Sequence, residues 1–325
     1  MKPKQRFMDA VHFKKPQDYV SSMELEFQIT QEYVGRELIM GAAFASLSRA
    51  EKEKAHARNA EIMFEVVCKA GHDAVKELGG YWEAAPGVPA YMWLPTLEDR
   101  LDYVRAFKRV AKDEVYLFGN LGATMAIPAG DELYAVVEKL YDEPEEIHAE
   151  NEKLLQEGIE QGKRLMDAGC DGIINASDIA FNSGTFLSTE MLSEFFFPYF
   201  NRWVDAVKSD GGIAVWHTDG NINKVIDKAI ESGVHAIQCV DPLGGMDIVE
   251  LKKQVQNKLC LIGNIDCSLL QLGTASEIEA ACKKVIEGCK GDGGFVLSGC
   301  NAIFKGIPAE NYQVLVDSRY KYGKE

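Results

Sequence analysis

Cations are scarce in this chain: 35 Lys and Arg stand against 50 Asp and Glu, a formal net charge of −15 over 325 residues. Proteins that bind nucleic acid draw most of the free energy from clustered Lys and Arg on phosphate, so this balance speaks against a nucleic-acid partner. Long apolar runs are missing too. Nothing approaches the roughly 20 residues that a helix needs to span a bilayer, and Met1-Lys-Pro-Lys-Gln-Arg-Phe7 lacks a signal-peptide core. A cytoplasmic protein without membrane association is therefore expected. Several catalytic signatures are absent. There is no Gly-x-Gly-x-x-Gly or Walker loop, since Gly291-Asp-Gly293-Gly294 precedes a strand and reads as a turn. Neither a Gly-x-Ser-x-Gly elbow nor a tight Cys-x-x-Cys or His-Glu-x-x-His spacing occurs. No linker, repeat or low-complexity segment divides the chain, so residues 1–325 are expected to form a single domain.

Eight cysteines are present, and in a reducing compartment they serve as small buried side chains, metal ligands or nucleophiles. Cys68, Cys282 and Cys289 fall inside predicted helices, and Cys170, Cys239 and Cys260 lie within or just before apolar strand runs; all six read as structural. Cys267 and Cys300 differ, because each sits where a strand gives way to a turn.

Apolar runs bounded by turn residues predict eight strands: Val20 to Phe27, Ala74 to Leu78, Val115 to Leu121, Asp171 to Asn175, Gly212 to Trp216, Val234 to Val240, Lys258 to Ile265 and Phe295 to Ser298. Glu24 and Glu26 interrupt the first on one face and are expected to be solvated, with a functional role the alternative. Helices separate the strands. Among them are a charged amphipathic stretch from Ala50 to Lys69, one begun by Thr96 with Asp99, Asp131 to Tyr141, one opened by Pro144 that runs to Ala168, Ser188 to Ser209, and Pro308 to Tyr322. The loop Gly79 to Pro95 gathers Tyr81, Trp82, Tyr91 and Trp93, either as a binding wall or as a plug of one domain end.

Eight strands alternating with helices predict an α/β fold of the (β/α)₈ TIM-barrel kind, a doubly wound open sheet being the alternative. In a barrel the carboxyl ends of the strands share one mouth. Those ends carry Asn120, Asp178, His217 with Asp219, Asp241, Asn264 with Asp266 and Cys267, and Cys300. Imidazole with thiolate is a zinc-type ligand pair, so His217 and Cys300 are candidate ligands, with Asp219 or Cys267 as a third. A strand-end histidine bonded only to a neighbouring carboxylate is the plainer alternative. Asp178, Asp241 and Asp266 are candidate general acids or bases, or else caps of the helices that follow. Tyr81, Trp82, Trp93, Asn120 and Asn264 are candidate substrate contacts.

With these residues in place, the chain resembles the uroporphyrinogen decarboxylase superfamily, which includes the decarboxylase and corrinoid-dependent methyltransferases. The resemblance is carried by Gly119-Asn-Leu-Gly-Ala-Thr124, by Leu187-Ser-Thr-Glu-Met-Leu-Ser-Glu-Phe-Phe-Phe-Pro198-Tyr199 and by Trp216-His217-Thr-Asp-Gly-Asn221. Gly263-Asn264-Ile-Asp266 and Gly306-Ile-Pro308 with Glu310-Asn311 complete it. It implies a distorted (β/α)₈ barrel. The decarboxylase branch uses an arginine-rich stretch near its first strand and an aspartate on the second, whereas here Val20 to Tyr33 has no Arg and Ala74 to Trp82 no Asp. A tetrapyrrole with many carboxylates needs such cations.

The methyltransferase branch uses a His-x-Cys after strand five and a Cys after strand eight to bind zinc. His217 and Cys300 match two of these, and Asp219 replaces the middle Cys. The resemblance thus implies a zinc-dependent methyltransferase exchanging methyl groups between a small substrate (a thiol, a folate, or a methyl ether or amine) and a corrinoid, methylcobalamin-like, presented by a partner protein. Two rivals are a decarboxylase of a porphyrinogen or related acid, using Asp178 or Asp241, and a non-catalytic barrel that holds a corrinoid partner.

Overall fold

The computed structural model describes residues 1–79, 93–128, 130 and 132–324. In chain order the strands are β1 (Ser21–Ser22), β2 (Ala74–Lys76), β3 (Tyr116–Leu121), β4 (Gly172–Ala176), β5 (Ala180–Phe181), β6 (Gly184–Thr185), β7 (Ile213–Thr218), β8 (Ala236–Cys239), β9 (Cys260–Ile265) and β10 (Phe295–Gly299). Eight of them form one sheet in the order β1-β10-β9-β8-β7-β4-β3-β2, and every pairing in it is parallel. The terminal strands of that order meet through Asp73. Its backbone N donates to Ser22 O at 2.8 Å, and its Oδ2 accepts from Ser22 N at 3.1 Å. The sheet therefore curls into a nearly closed α/β barrel, as the strand count predicted. Asp73 is fully buried and paired with Arg319 at 2.7 Å and with Arg6, which is how a charge is tolerated in this seam.

Alternation along each strand sorts the side chains into two shells. Ala74, Tyr116, Phe118, Ile174, Ile213, Val215, Ala236, Cys260, Ile262 and Val296 pack in one cluster with Phe7 of the N-terminal helix Pro3–Val11. The remaining strand residues pack in a larger cluster that includes the surrounding helices. Extending the inner register by two residues brings Asn120, Ala176, His217, Gln238, Asn264 and Ser298 to the carboxyl end of the barrel. Six of six β7 residues are buried, which explains why an apolar run ends on an imidazole there.

Two expectations need correction, and two short elements come in addition. The first strand is far shorter than Val20 to Phe27. Only Ser21 and Ser22 pair with β10, followed by a single bridge from Phe27 to Ile303, because Glu24 turns inward to bond the backbone of Gly299. Ser188 to Ser209 is two helices, Thr189–Phe195 and Phe197–Ser209, broken at Phe196, where Pro198 opens the second. An additional short helix, Cys267–Leu272, is capped by Asp266. The antiparallel pair β5–β6 gave no sequence signal, since two-residue strands have no periodicity. Among the described residues, no helix is long and apolar enough to cross a membrane.

Candidate active site

At the carboxyl end of the barrel, a cavity of about 300 Å³ is lined by Glu26, Lys76, Asn120, Asp178, His217 and Asp219 among others. Each comes from a strand end or the residues just beyond it. His217 is 9 % exposed and fixed from below: Nδ1–H donates to Gln238 Oε1, and Gln238 Nε2 donates in turn to Cys300 O at 3.4 Å. That bond assigns the proton to Nδ1 and leaves Nε2 as an acceptor directed at two carboxylates. Nε2 lies 3.9 Å from Asp219 Oδ1 and 4.0 Å from Asp178 Oδ1.

Asp219 has unequal oxygens. Oδ2 accepts from Asn301 Nδ2 at 2.7 Å, while Oδ1 is buried without a hydrogen-bond partner among the described residues. Burial pushes its carboxyl above the usual range; His217 opposes this, and the Asp178 and Asp241 carboxylates add to it. Asp178 is more open, at 46 % exposure, and its Oδ1 accepts from Asp219 N at 2.8 Å. Ligand atoms of Asp178, His217 and Asp219 all fall within 4.8 Å of one another. An orphaned carboxylate oxygen facing an imidazole nitrogen whose other nitrogen is tied down fits a divalent cation such as zinc, for which N and O donors are both ordinary ligands.

The third metal candidate lies deeper. Cys300 does not line the cavity; its sulfur is 3.7 Å from that of Cys267, and neither thiol belongs to the cluster of Asp178, His217 and Asp219. The neighbouring Cys239 and Cys267 thiols hold the Cys300 thiol below its usual range. The structure therefore does not bring Cys300 into the cluster with which the sequence grouped it.

The other candidates separate. Asn120 lines the cavity, and its Oδ1 is buried without a partner among the described residues. Asn264 instead donates to Val240 O at 2.7 Å and lies with Asp266 in a different cavity. Asp266 accepts from Ser268 N at 2.7 Å as a helix cap. Asp241 accepts from Gly220 N at 3.1 Å and Leu243 N at 2.8 Å, which holds two loops of the mouth. Trp93 is not among the residues lining the cavity, and its carbonyl accepts from Gly41 N at 3.0 Å. Tyr81 and Trp82 lie outside the described residues.

Sequence reasoning missed Gln238, Asn301 and Lys76. Gln238 had a signal, since it sits opposite His217 in the β7–β8 register. Lys76, a cation on the cavity wall, donates to Gly79 O at 2.8 Å and Glu77 O at 3.2 Å. Glu24, expected in solvent, is buried; it accepts from Ser298 Oγ at 3.0 Å and Gly299 N at 2.9 Å, and burial raises it to about 8.

Comparison with known proteins bears on this arrangement. A solved methyltransferase from Methanosarcina mazei superposes with a TM-score of 0.76 over 99 % of each chain, at 16 % identity, a likeness of fold. Uroporphyrinogen decarboxylases from Vesicomyosocius okutanii and Anaeromyxobacter dehalogenans are 26 % and 28 % identical over 232 and 229 residues, 69 % of this chain in both cases. The chain spans 65 % and 63 % of the lengths of those two relatives. The family description "Uroporphyrinogen decarboxylase (URO-D)" matches residues 89–322, well over half of the sequence. The chain therefore belongs to the uroporphyrinogen decarboxylase family.

Proposed function

We propose that the protein is a zinc-dependent methyltransferase that moves a methyl group between a small substrate and a corrinoid carried by a separate protein. The observation that carries this reading is the orphaned Asp219 Oδ1 opposite His217 Nε2 in a small cavity. His217 and Asp219 would hold the ion, with Asp178 approaching from the open side and Cys300 from the buried side. When bound, zinc supplies a Lewis acid that polarises the heteroatom losing or receiving the methyl group.

The chain's own residues supply the rest. Gln238 fixes the His217 tautomer, and Asn301 fixes the Asp219 carboxylate so that Oδ1 stays directed at the imidazole. Asn120 offers a buried acceptor to a donor group on the substrate. Asp178, the most exposed of the acids, is placed to take or return a proton at the substrate heteroatom. A cavity of about 300 Å³ is at the small end for ligand sites, so a corrin ring would sit outside it and cap the mouth.

The fold likeness to a methyltransferase supports this reading. The names of the curated relatives favour porphyrinogen decarboxylation instead. Against it, the one cation among the described lining residues is Lys76, already bonded to two carbonyls, and Arg100 is committed to buried Glu77 at 2.6 Å. Eight substrate carboxylates would meet Glu26, Asp178 and Asp219 in that cavity. The deciding experiment follows the methylcobalamin absorbance with thiol, folate and aryl-ether partners. Zinc-dependent turnover with one of them supports the proposal, and carbon dioxide release from uroporphyrinogen with no methyl transfer would overturn it.

A further inference from the structure

Four cations are buried among the described residues: Lys76, Arg100, Lys252 and Arg319. A charge taken out of water is tolerated where an opposite charge meets it, and three of these four follow that rule. Arg319 pairs with Asp73 at 2.7 Å, Arg100 with Glu77 at 2.6 Å and Lys252 with Asp292 at 3.0 Å. Lys76 is the exception. It is 6 % exposed, and its Nζ donates to the carbonyls of Gly79 at 2.8 Å and Glu77 at 3.2 Å; no acid among the described residues pairs with it.

The strand register brings this charge to the cavity. Ala74 belongs to the inner cluster of the barrel, so alternation turns Lys76 to the same side, paired in register with inner Phe118. Its side chain lines the cavity together with three acids whose bonds go elsewhere. Glu26 Oε1 accepts from Gln28 Nε2 at 2.5 Å, Asp178 Oδ1 from Asp219 N at 2.8 Å, and Asp219 Oδ2 from Asn301 Nδ2 at 2.7 Å. An ammonium has three N–H donors, and two of them are spent on uncharged carbonyls. The third, with the whole counter-charge, is left to what enters the cavity.

We infer that Lys76 binds one carboxylate of the substrate, so that the methyl group is exchanged with a small, singly acidic molecule. This rests on the methyl-transfer reading proposed above and names its substrate class. β2 stands three places from β7 in the sheet order, which sets the ammonium and the His217–Asp219 pair on separate walls of one cavity. The substrate spans them, with its carboxylate on Lys76 and its heteroatom toward His217. One remaining N–H answers one charged oxygen. A phosphate or sulfonate would leave two further oxygens among the acids, and the many carboxylates of a porphyrinogen would leave far more.

Isothermal titration calorimetry of the zinc-loaded full chain tests this with mercaptoacetate, 3-mercaptopropionate and 4-mercaptobutyrate, each beside its own amide, the thiol being the end that a zinc ion holds. At least one acid should bind about 10–100-fold more tightly than its amide, the worth of a hydrogen bond to a charged group. Lys76→Met, with folding checked by circular dichroism, should bind the amide as before and lose that preference. A lysine that only staples the loop carbonyls would change the stability of the variant and leave the ratio of acid to amide alone. Amides that bind the wild type as well as all three acids would overturn the inference and leave the zinc site standing, and that comparison needs no variant. A preference kept in full by folded Lys76→Met would overturn it as well. If the chain takes up no zinc, propionate beside propionamide on the metal-free protein separates the two readings: a Lys76-dependent preference for propionate removes the zinc and keeps the carboxylate site, and no preference removes both.

Discussion

His217 Nδ1–H donates to Gln238 Oε1 across the β7–β8 register, and this single bond decides which imidazole nitrogen faces the cavity. Gln238 is itself fully buried. Gln238→Leu keeps the volume and removes the acceptor, so zinc affinity should fall about 10–100-fold, the usual effect of losing a partner that orients a ligand. Competition with a chromophoric chelator measures it. Unchanged affinity would mean that the imidazole is oriented by something else.

Glu24 predicts a pH dependence of stability. Unfolded it titrates near 4.5, whereas in the fold burial holds it near 8. With the carboxyl protonated, Oε1–H can donate to Tyr312, whose hydroxyl donates to His72 Nε2; burial keeps that imidazole neutral, down to about 3. Between the two Glu24 values the native state keeps a proton that the unfolded chain has lost. Its contribution is complete below about 4.5 and declines as pH rises through about 8, by roughly 1.4 kcal/mol per pH unit in that window. Denaturant midpoints of the metal-free protein at several pH values should show this slope in the wild type and lose it in Glu24→Gln. Equal slopes in both would contradict a protonated Glu24.

Gly263 separates β9 from the carbonyl of Cys239. In Gly263→Ala the new methyl carbon would lie 2.4 Å from that oxygen, so one strand must move. A stability loss of about 1–3 kcal/mol is expected, as for overpacking elsewhere. A denaturation midpoint equal to that of the wild type would show that the barrel yields there without cost.

Asn120 tests the substrate side. Its buried Oδ1 has no partner among the described residues, so Asn120→Ala should raise KM about 3–10-fold, the worth of one hydrogen bond, with kcat little changed. A fall in kcat at constant KM would place Asn120 in the chemistry instead.

The barrel was legible because its strands are apolar runs with clear ends. β7 could be read from Ile213 to its terminal imidazole, and the resemblance motifs lie on the same strand ends. What was not legible depends on contacts between distant segments. Glu24 read as solvated because nothing local shows that Gly299 N and Ser298 Oγ would meet it. Cys239 read as one more buried cysteine, since its positive φ leaves no trace in spacing. Asp241 and Asp266 shared the strand-end position of Asp178, but the turns after them absorb their oxygens. Asp178 differs because its side chain lines the cavity and is 46 % exposed.

The most direct test of the account is the metal content of protein purified without a histidine tag, measured by plasma mass spectrometry beside His217→Ala and Asp219→Ala. The account predicts about one zinc per chain in the wild type, as a single mononuclear site requires, and its loss in both variants. A metal-free wild type after zinc supplementation, or zinc retained at full content in both variants, would contradict it.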